Sequence, residues 1–574
     1  VLASTAGFLA LGLWPVAVTS AIGVVASVLL ALALMALLVG STVVLHLHYA
    51  PPQIFWWGPL RLREAPVATL LLLTVAGILV LGSDQSVHGM RGLRPPPAAG
   101  ESLAGLSPKQ RGMDQIFDEW DVSTRDCIGI STGGSTLRTI RPMIMVAAEG
   151  GGIRAAYWTA AALDEIKAQT DPVTGCGLDS VIVASGVSGG AVGLAVSRFV
   201  ESPSTSATGR SAADAVWALG SPDALAQATV GLLVRDPIYS VTGLALGSDV
   251  PVDLEQGWVD RAGLMETNWE QQVPELTTDF FAPPARPTGE LSAALVLNST
   301  STSTGCRVLV SHIRQGDARV DDCAGPRAPA AFSVDFAASF MARQPREGDH
   351  CVERLNASTA AMLAARFPYV TPSGVVGPCG GAPQVQLIDG GYAEGSGVGS
   401  LVDLSAPLLT RVREFNEADT GQIIVPVLVY LDNGRGSDLV QPPPEAVAEV
   451  LVPPVGLMMG GSSQKSTTAW LQRGAAMIAP DSVGIPAEAS VRSAIRPFGS
   501  GVFVVNQRSK PAIEAPLGWV LSDASRDDMV ASLADDSASA CEDESDPDVV
   551  ESDKEAEIVG YGRLNDLIEA MTGC

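Results

Sequence analysis

Three short stretches of this 574-residue chain combine residue types that can do chemistry with the spacing that chemistry needs. The first is Gly186-Val187-Ser188-Gly189-Gly190, which follows the apolar run Val181 to Ala184 and precedes a second, Ala191 to Val196. A G-x-S-x-G serine has a mechanism where a strand ends and a helix begins. The strained turn exposes its hydroxyl, and Gly186 and Gly190 let neighbouring backbone pass. Ser188 is therefore the candidate nucleophile. The pattern recurs at Gly129 to Gly133, but there it is flanked by loop-forming residues. The second stretch, EGGGIR at 149 to 154, follows the apolar run Pro142 to Ala148 and offers bare backbone N–H groups to something negative. A phosphate is disfavoured, because neither the Gly-Lys-Ser/Thr of a P-loop nor the G-x-G-x-x-G of a dinucleotide turn is present.

A serine hydroxyl needs a base. The five histidines lie at 46, 48, 88, 312 and 350, and none follows Ile388, as the last member of a Ser-Asp-His series would. His312 falls on an apparent strand and His350 in a polar loop, which suits structural roles. A carboxylate acting directly is the better candidate. In QVQLIDGG, Asp389 ends an apolar strand and is followed by Gly390 and Gly391. Asp-Gly is ordinary turn chemistry. Yet Ser188, Asp389 and the glycine turn would all lie at strand ends on one edge of one sheet, where ligands of α/β proteins collect.

The elements that must position these residues read as an α/β fold. Buried strands are expected at 142–148, 180–184, 294–297, 307–313, 385–388, 423–431 and 502–505. Helices are expected at 113–120, 153–168 and 191–200. Strands alternating with helices predict a sheet with helices on both faces. The Pro- and Gly-rich tract 433–463 reads as an irregular excursion.

Ahead of this domain no residue from Val1 to Leu45 is charged, and the first arginine is Arg61. At about 20 residues per span, the run predicts two membrane helices, Leu2 to Val18 and Ile22 to Leu45, with a break at Thr19-Ser20. A third is expected at Pro66 to Gly82, with Phe55, Trp56 and Trp57 as interfacial anchors. The chain opens on valine, which leaves room for further spans upstream. The expected organisation is a membrane region and linker over 1–98, a catalytic domain over 99–530, and an acidic linker with a short terminal segment over 531–574. Eleven acidic residues and one lysine between Asp535 and Glu557 suit a solvated linker, and 561–571 carries a weak helical pattern able to dock back. A net charge of −26 argues against nucleic acid as a partner.

Eight cysteines follow the membrane region, none in zinc-ligand C-x-x-C spacing. In an oxidising compartment Cys306 and Cys323 would join across a hairpin, with Cys127–Cys176 and Cys351–Cys379 as further pairs. The alternative is reduced, buried cysteines in a cytoplasmic domain. Arg61 and Arg63 favour an exported domain, while Arg91 and Arg94 pull the other way.

Between Arg141 and Leu431 the chain resembles the patatin-like phospholipase family. That family carries a glycine-rich turn ending in Arg or Lys, then a G-x-S-x-G elbow, then Asp-Gly-Gly or Asp-Gly-Ala. Here these read EGGGIR, GVSGG and DGG in the same order. LNSTSTSTGCR at 297–307 and AARFPYVTP at 364–372 are secondary similarities. The resemblance implies a patatin-like three-layer sheet and a multi-pass, membrane-anchored serine acyl hydrolase acting on membrane lipid through a Ser188–Asp389 dyad. The glycine turn would then be an oxyanion hole of Gly150, Gly151 and Gly152, with Gly189 adding a donor. Arg154 would brace the turn or pair with an anionic group. No metal or cofactor is implied. Transfer of the acyl group to another acceptor, and a non-catalytic lipid-binding scaffold, are the alternatives.

Overall fold

The computed structural model describes residues 2–48, 85–93, 109–131, 138–200, 209–248, 258–282, 290–341, 348–435, 464–507, 518–538 and 560–573, save for 128, 317, 325–328, 330–331, 368–369 and 419. The strands are β1 (Ile130–Ser131), β2 (Thr139–Ala148), β3 (Val181–Val187), β4 (Ala294–Ser301), β5 (Arg307–Ser311), β6 (Ser333–Asp335), β7 (Gly374–Val376), β8 (Val385–Asp389), β9 (Gln422–Arg435) and β10 (Val502–Gln507). They form one sheet along the order β10-β9-β2-β3-β4-β5-β6, with β8 also on β4 and β7 on β8. From β10 through β4 every neighbouring pair is parallel. A parallel sheet must be covered on both faces, which is why β3 and β4 are buried along their whole length.

The main helices are α1 (Leu2–Leu13), α2 (Pro15–His48), α3 (Met113–Ser123), α4 (Gly152–Thr174), α5 (Ser188–Phe199), α6 (Ala212–Leu219), α7 (Pro222–Val230), α8 (Asp236–Thr242), α9 (Arg261–Gln272), α10 (Ala357–Ala364), α11 (Val398–Glu417), α12 (Gln464–Ile478), α13 (Asp523–Ala538) and α14 (Leu564–Thr572). The chain steps from β2 to β3 to β4 in one direction, then returns from β8 to β9 on the far side of β2. Right-handed crossovers put helices of opposite progression on opposite faces. Hence α4 and α5 cover one face, joined by α6, α13 and α14, while α11 covers the other with α3 and α12. The reversal at β2 is a topological switch point, where α/β sheets open a crevice.

Trp158 of α4 is fully buried, and its Nε1 donates to the Val505 carbonyl of β10 at 3.2 Å, fixing the helix to the edge strand. The terminal segment does dock. Gly562 N donates to Val502 O and Val504 N to Gly562 O, so the outer edge of β10 is partly paired, and Leu567 and Met571 of α14 join the main core. Helix α13 runs across the expected boundary at 530/531. Of the expected excursion, 433–435 belongs to β9; the rest, like the acidic stretch 539–559, lies outside the described residues.

The membrane region differs from expectation. Thr19 does not break the helix, because its hydroxyl donates to the Pro15 carbonyl at 2.6 Å inside α2. The break comes at Trp14, before a proline suited to the first turn of a helix, and a kink comes at Gly23, with φ 75° and ψ 173°. Among the described residues one helix, Pro15–Ser41, is long and apolar enough to cross a membrane. Helix α1, 12 residues and about 18 Å long, is too short for the ~30 Å hydrocarbon core. Two spans are therefore not seen where two were expected. The third, 66–82, and the aromatic residues 55–57 lie outside the described residues.

All three cysteine pairs, Cys127–Cys176, Cys306–Cys323 and Cys351–Cys379, are disulfide-bonded. The expected hairpin around Cys306–Cys323 is absent. β5 pairs with β4 and, in parallel, with β6, and the bond ties the start of β5 to a 3-10 turn at Asp322–Ala324.

Trp158→Ala removes the largest fully buried side chain of α4 and its bond to β10. It is expected to lower stability by about 3–5 kcal/mol, read as a shifted denaturant midpoint of the purified chain; an unchanged midpoint would contradict the packing described.

Candidate active site

β3 ends at Val187 in extended conformation and α5 begins at Ser188, whose φ is 50°. Among the described residues only Phe332 shares a positive φ without being glycine. A serine held in this sparsely populated region marks a turn whose surroundings enforce it. The neighbouring glycines explain how. A Cβ on Gly189 would collide with the Gly152 carbonyl, and one on Gly190 with the carbonyls of Ala148 and Glu149. Gly186 is pressed against the Ala191 backbone in the same way. The two glycine-rich turns thus meet backbone to backbone, and a Cβ on Gly150 would lie 3.1 Å from the Ser188 Cβ. The rival serine, Ser131, sits on the two-residue strand β1, paired antiparallel with β2.

Asp389 reaches the same level from the opposite direction. β4 pairs antiparallel with β8, so the strand does not run parallel to β3 as the shared-edge reading assumed. Register resolves the geometry: Val187 pairs with Asn298, and the next residue, Ser299, pairs with Asp389. Because β8 overlaps only the last residues of β4, its carboxyl end stops level with Ser188. Asp389 N donates to Arg366 O at 3.1 Å, and Oδ1 accepts from Gly391 N at 2.8 Å. Oδ2 is buried with no hydrogen-bond partner at bonding geometry among the described residues. Burial pushes the carboxyl up to about 6, opposed by the Ser188 hydroxyl and the Gly391 N–H. Gly390 packs its bare Cα against Asn298.

The glycine turn is clamped from β9. Asn433 Nδ2 donates to Gly150 O at 2.6 Å and to Glu149 Oε2 at 2.9 Å, while Arg154 Nε donates to Asn433 Oδ1 at 2.8 Å. Arg154 therefore braces the turn. Gly150 N donates to Gly395 O at 3.0 Å and Ile153 N to Gly518 O at 2.7 Å, so neither is available as an oxyanion donor. This corrects the expectation for Gly150. The amides of Gly151, Gly152 and Gly189 lie at the starts of α4 and α5, where first-turn N–H groups have no partner within the helix. Burial, and next the Asp432 carboxylate beside it, push Glu149 well above the usual carboxylate range.

Sequence reasoning missed the support behind the Ser188 turn. Asn298 Nδ2 donates to Ser185 Oγ and Gly186 O at 3.0 and 2.8 Å; Ser400 donates to Asn298 Oδ1, and Arg307 joins Ser400 to Asp403. The only local signal was a polar Asn inside an apolar strand. Asn433 was missed at the end of β9 for the same reason. His312 is structural: Nδ1 accepts from Leu295 N, so Nε2 carries the proton donated to Phe280 O. Neither it nor His350 reaches the site.

Ser188, Asp389, Gly150, Gly151 and Gly152 line one cavity of about 370 Å³, whose remaining walls include Phe367, Val370 and Trp519. No group of three His, Cys, Asp or Glu side chains able to hold a metal occurs among the described residues. No family model matches the chain, and no curated protein is significantly similar to it.

The arrangement gathers a serine hydroxyl, a desolvated carboxylate and the glycine turn at 150 to 152 around one apolar pocket. The expected base is the carboxylate form of Asp389, whose fraction falls as pH drops through about 6. Labelling of Ser188 by a fluorophosphonate should therefore show an acid limb near pH 6, slowing about tenfold per unit below it. A rate flat from pH 7 to 4.5 would remove Asp389 from that role.

Proposed function

We propose that the chain is a membrane-anchored serine acyl hydrolase that cleaves ester-linked acyl chains from membrane lipids, as a member of the patatin-like phospholipase family would. The observation that carries the reading is the meeting of Ser188, in its strained strand-to-helix turn, with the open Oδ2 of Asp389 in an apolar cavity. Ser188 Oγ attacks the ester carbonyl and its proton passes to Asp389. The carbonyl oxygen, now negative, accepts from the amides of Gly151, Gly152 and Gly189; each such donor contributes about 2.7–4 kcal/mol in comparable sites. Collapse breaks the ester C–O bond, and the leaving alkoxide takes the proton from Asp389. Water then attacks the acyl-serine while Asp389 accepts its proton. The second collapse returns that proton to Ser188 and releases the fatty acid. The apolar walls exclude water from the carboxylate and accept the acyl chain.

The long apolar helix Pro15–Ser41 supports the anchor, and the three disulfides support an exported catalytic domain.

The test is release of labelled fatty acid from phospholipid in mixed micelles. Ser188→Ala is expected to lose at least about 10³-fold and Asp389→Asn about 10²–10⁴-fold, both with unchanged melting. Full activity in folded Ser188→Ala protein would overturn the proposal.

A further inference from the structure

Of the seven large apolar side chains exposed among the described residues after α2, three lie between Gly231 and Ser248. That segment is a π turn, Gly231–Arg235, followed by α8 and an irregular stretch. Leu232, Val241 and Leu244 are 38, 53 and 61 % exposed. The two charged residues in the segment are both turned inward. Arg235, 2 % exposed, lies over the Trp258 ring at 4.6 Å and donates from Nε to Leu246 O at 2.8 Å. Asp236 pairs with Arg261 at 2.7 Å. In a chain of net charge −26, a face showing solvent only apolar, hydroxyl and glycine surface is unusual.

What covers that face is indicated by what it joins. Val230 and Val234 pack with Leu11 of α1 and Ala31 of α2 in one cluster. Ser248 donates both its N–H and its hydroxyl to the Leu13 carbonyl, at 2.7 and 2.9 Å, satisfying an end of α1 that hydrocarbon could not. Ala31 lies ten residues inside the Ser41 end of the apolar helix, about 15 Å along its axis. Whatever packs on Ala31 shares its depth. We propose that Gly231–Ser248 is a bilayer-inserted ledge of the catalytic domain, with Leu232, Val241 and Leu244 in the acyl region of the membrane that α2 crosses. The domain then rests in the bilayer surface and does not hang from a tether. The ledge is one ion pair from the cavity, since Arg261 also donates from Nε to the carbonyl of Val370 in the cavity wall. The inference rests on α2 as a membrane anchor, the reading proposed above, and not on catalysis.

The test uses depth-dependent quenching on the full chain with Cys541→Ser and Cys574→Ser, reconstituted in phosphatidylcholine nanodiscs containing lipid with an acyl-chain nitroxide. An environment-sensitive fluorophore is attached in turn to Leu244→Cys, to Val25→Cys on the outer surface of α2, and to Val122→Cys on α3, the last two positions being 69 and 66 % exposed. The label at 244 is expected to be quenched like that at 25 and at least twofold more than that at 122. Adding Ser188→Ala should leave these values unchanged, so the readout does not depend on hydrolysis. Quenching at 25 with 244 at the level of 122 overturns the ledge alone. No quenching at 25 overturns the anchor and the ledge together.

Discussion

The site depends on a contact between two pieces of bare backbone. The turn after β2 and the turn after β3 leave adjacent parallel strands at one level, because Ala148 pairs with Gly186. They then approach so closely that no side chain fits at Gly189 or Gly190. This contact holds Ser188 in its positive-φ conformation beside the amides of the other turn. It also explains why glycine is concentrated in these two turns: the requirement is room for a neighbour's carbonyl, more than flexibility.

Around that contact the protein arranges its charges by burial. Asp389 and Glu149 both sit above the usual carboxylate range because water is withheld from them. For Asp389 the result is a stronger base with one oxygen left open. For Glu149, next to Asp432, raised affinity for a proton relieves repulsion between two acids under the glycine turn. Asn433 and Arg154 hold that turn through neutral and charged donors from β9 and α4, so its geometry does not rely on the acid pair alone.

The central strands were legible because the part of a strand buried on both faces must be continuously apolar, as Pro142–Ala148 of β2, Val181–Ala184 of β3 and Ile423–Leu431 of β9 are. Pro66–Gly82 could be read as a span by the same rule, but its placement lies outside the described residues. The short elements were not legible. β7 has three residues, and α6 to α8 occupy a stretch where alanine, serine and glycine give no firm period. The membrane region was misdivided because hydropathy counts apolar residues and does not register that a threonine can satisfy its hydroxyl within the helix, as Thr19 does.

The sequence alone determined which residues could react. Strand-to-helix transitions and glycine spacing are local properties, and they singled out Ser188, the turn at 150 to 152 and Asp389. Tertiary structure decided what each of them faces. It set β8 antiparallel to β4, turned Gly150 N–H away to Gly395, and brought Asn433 to Glu149 across 284 positions of sequence. It also put Asn298 behind the Ser188 turn. Such pairings are fixed by how whole layers pack and in what register, a balance of burial over many residues that no short window of sequence contains.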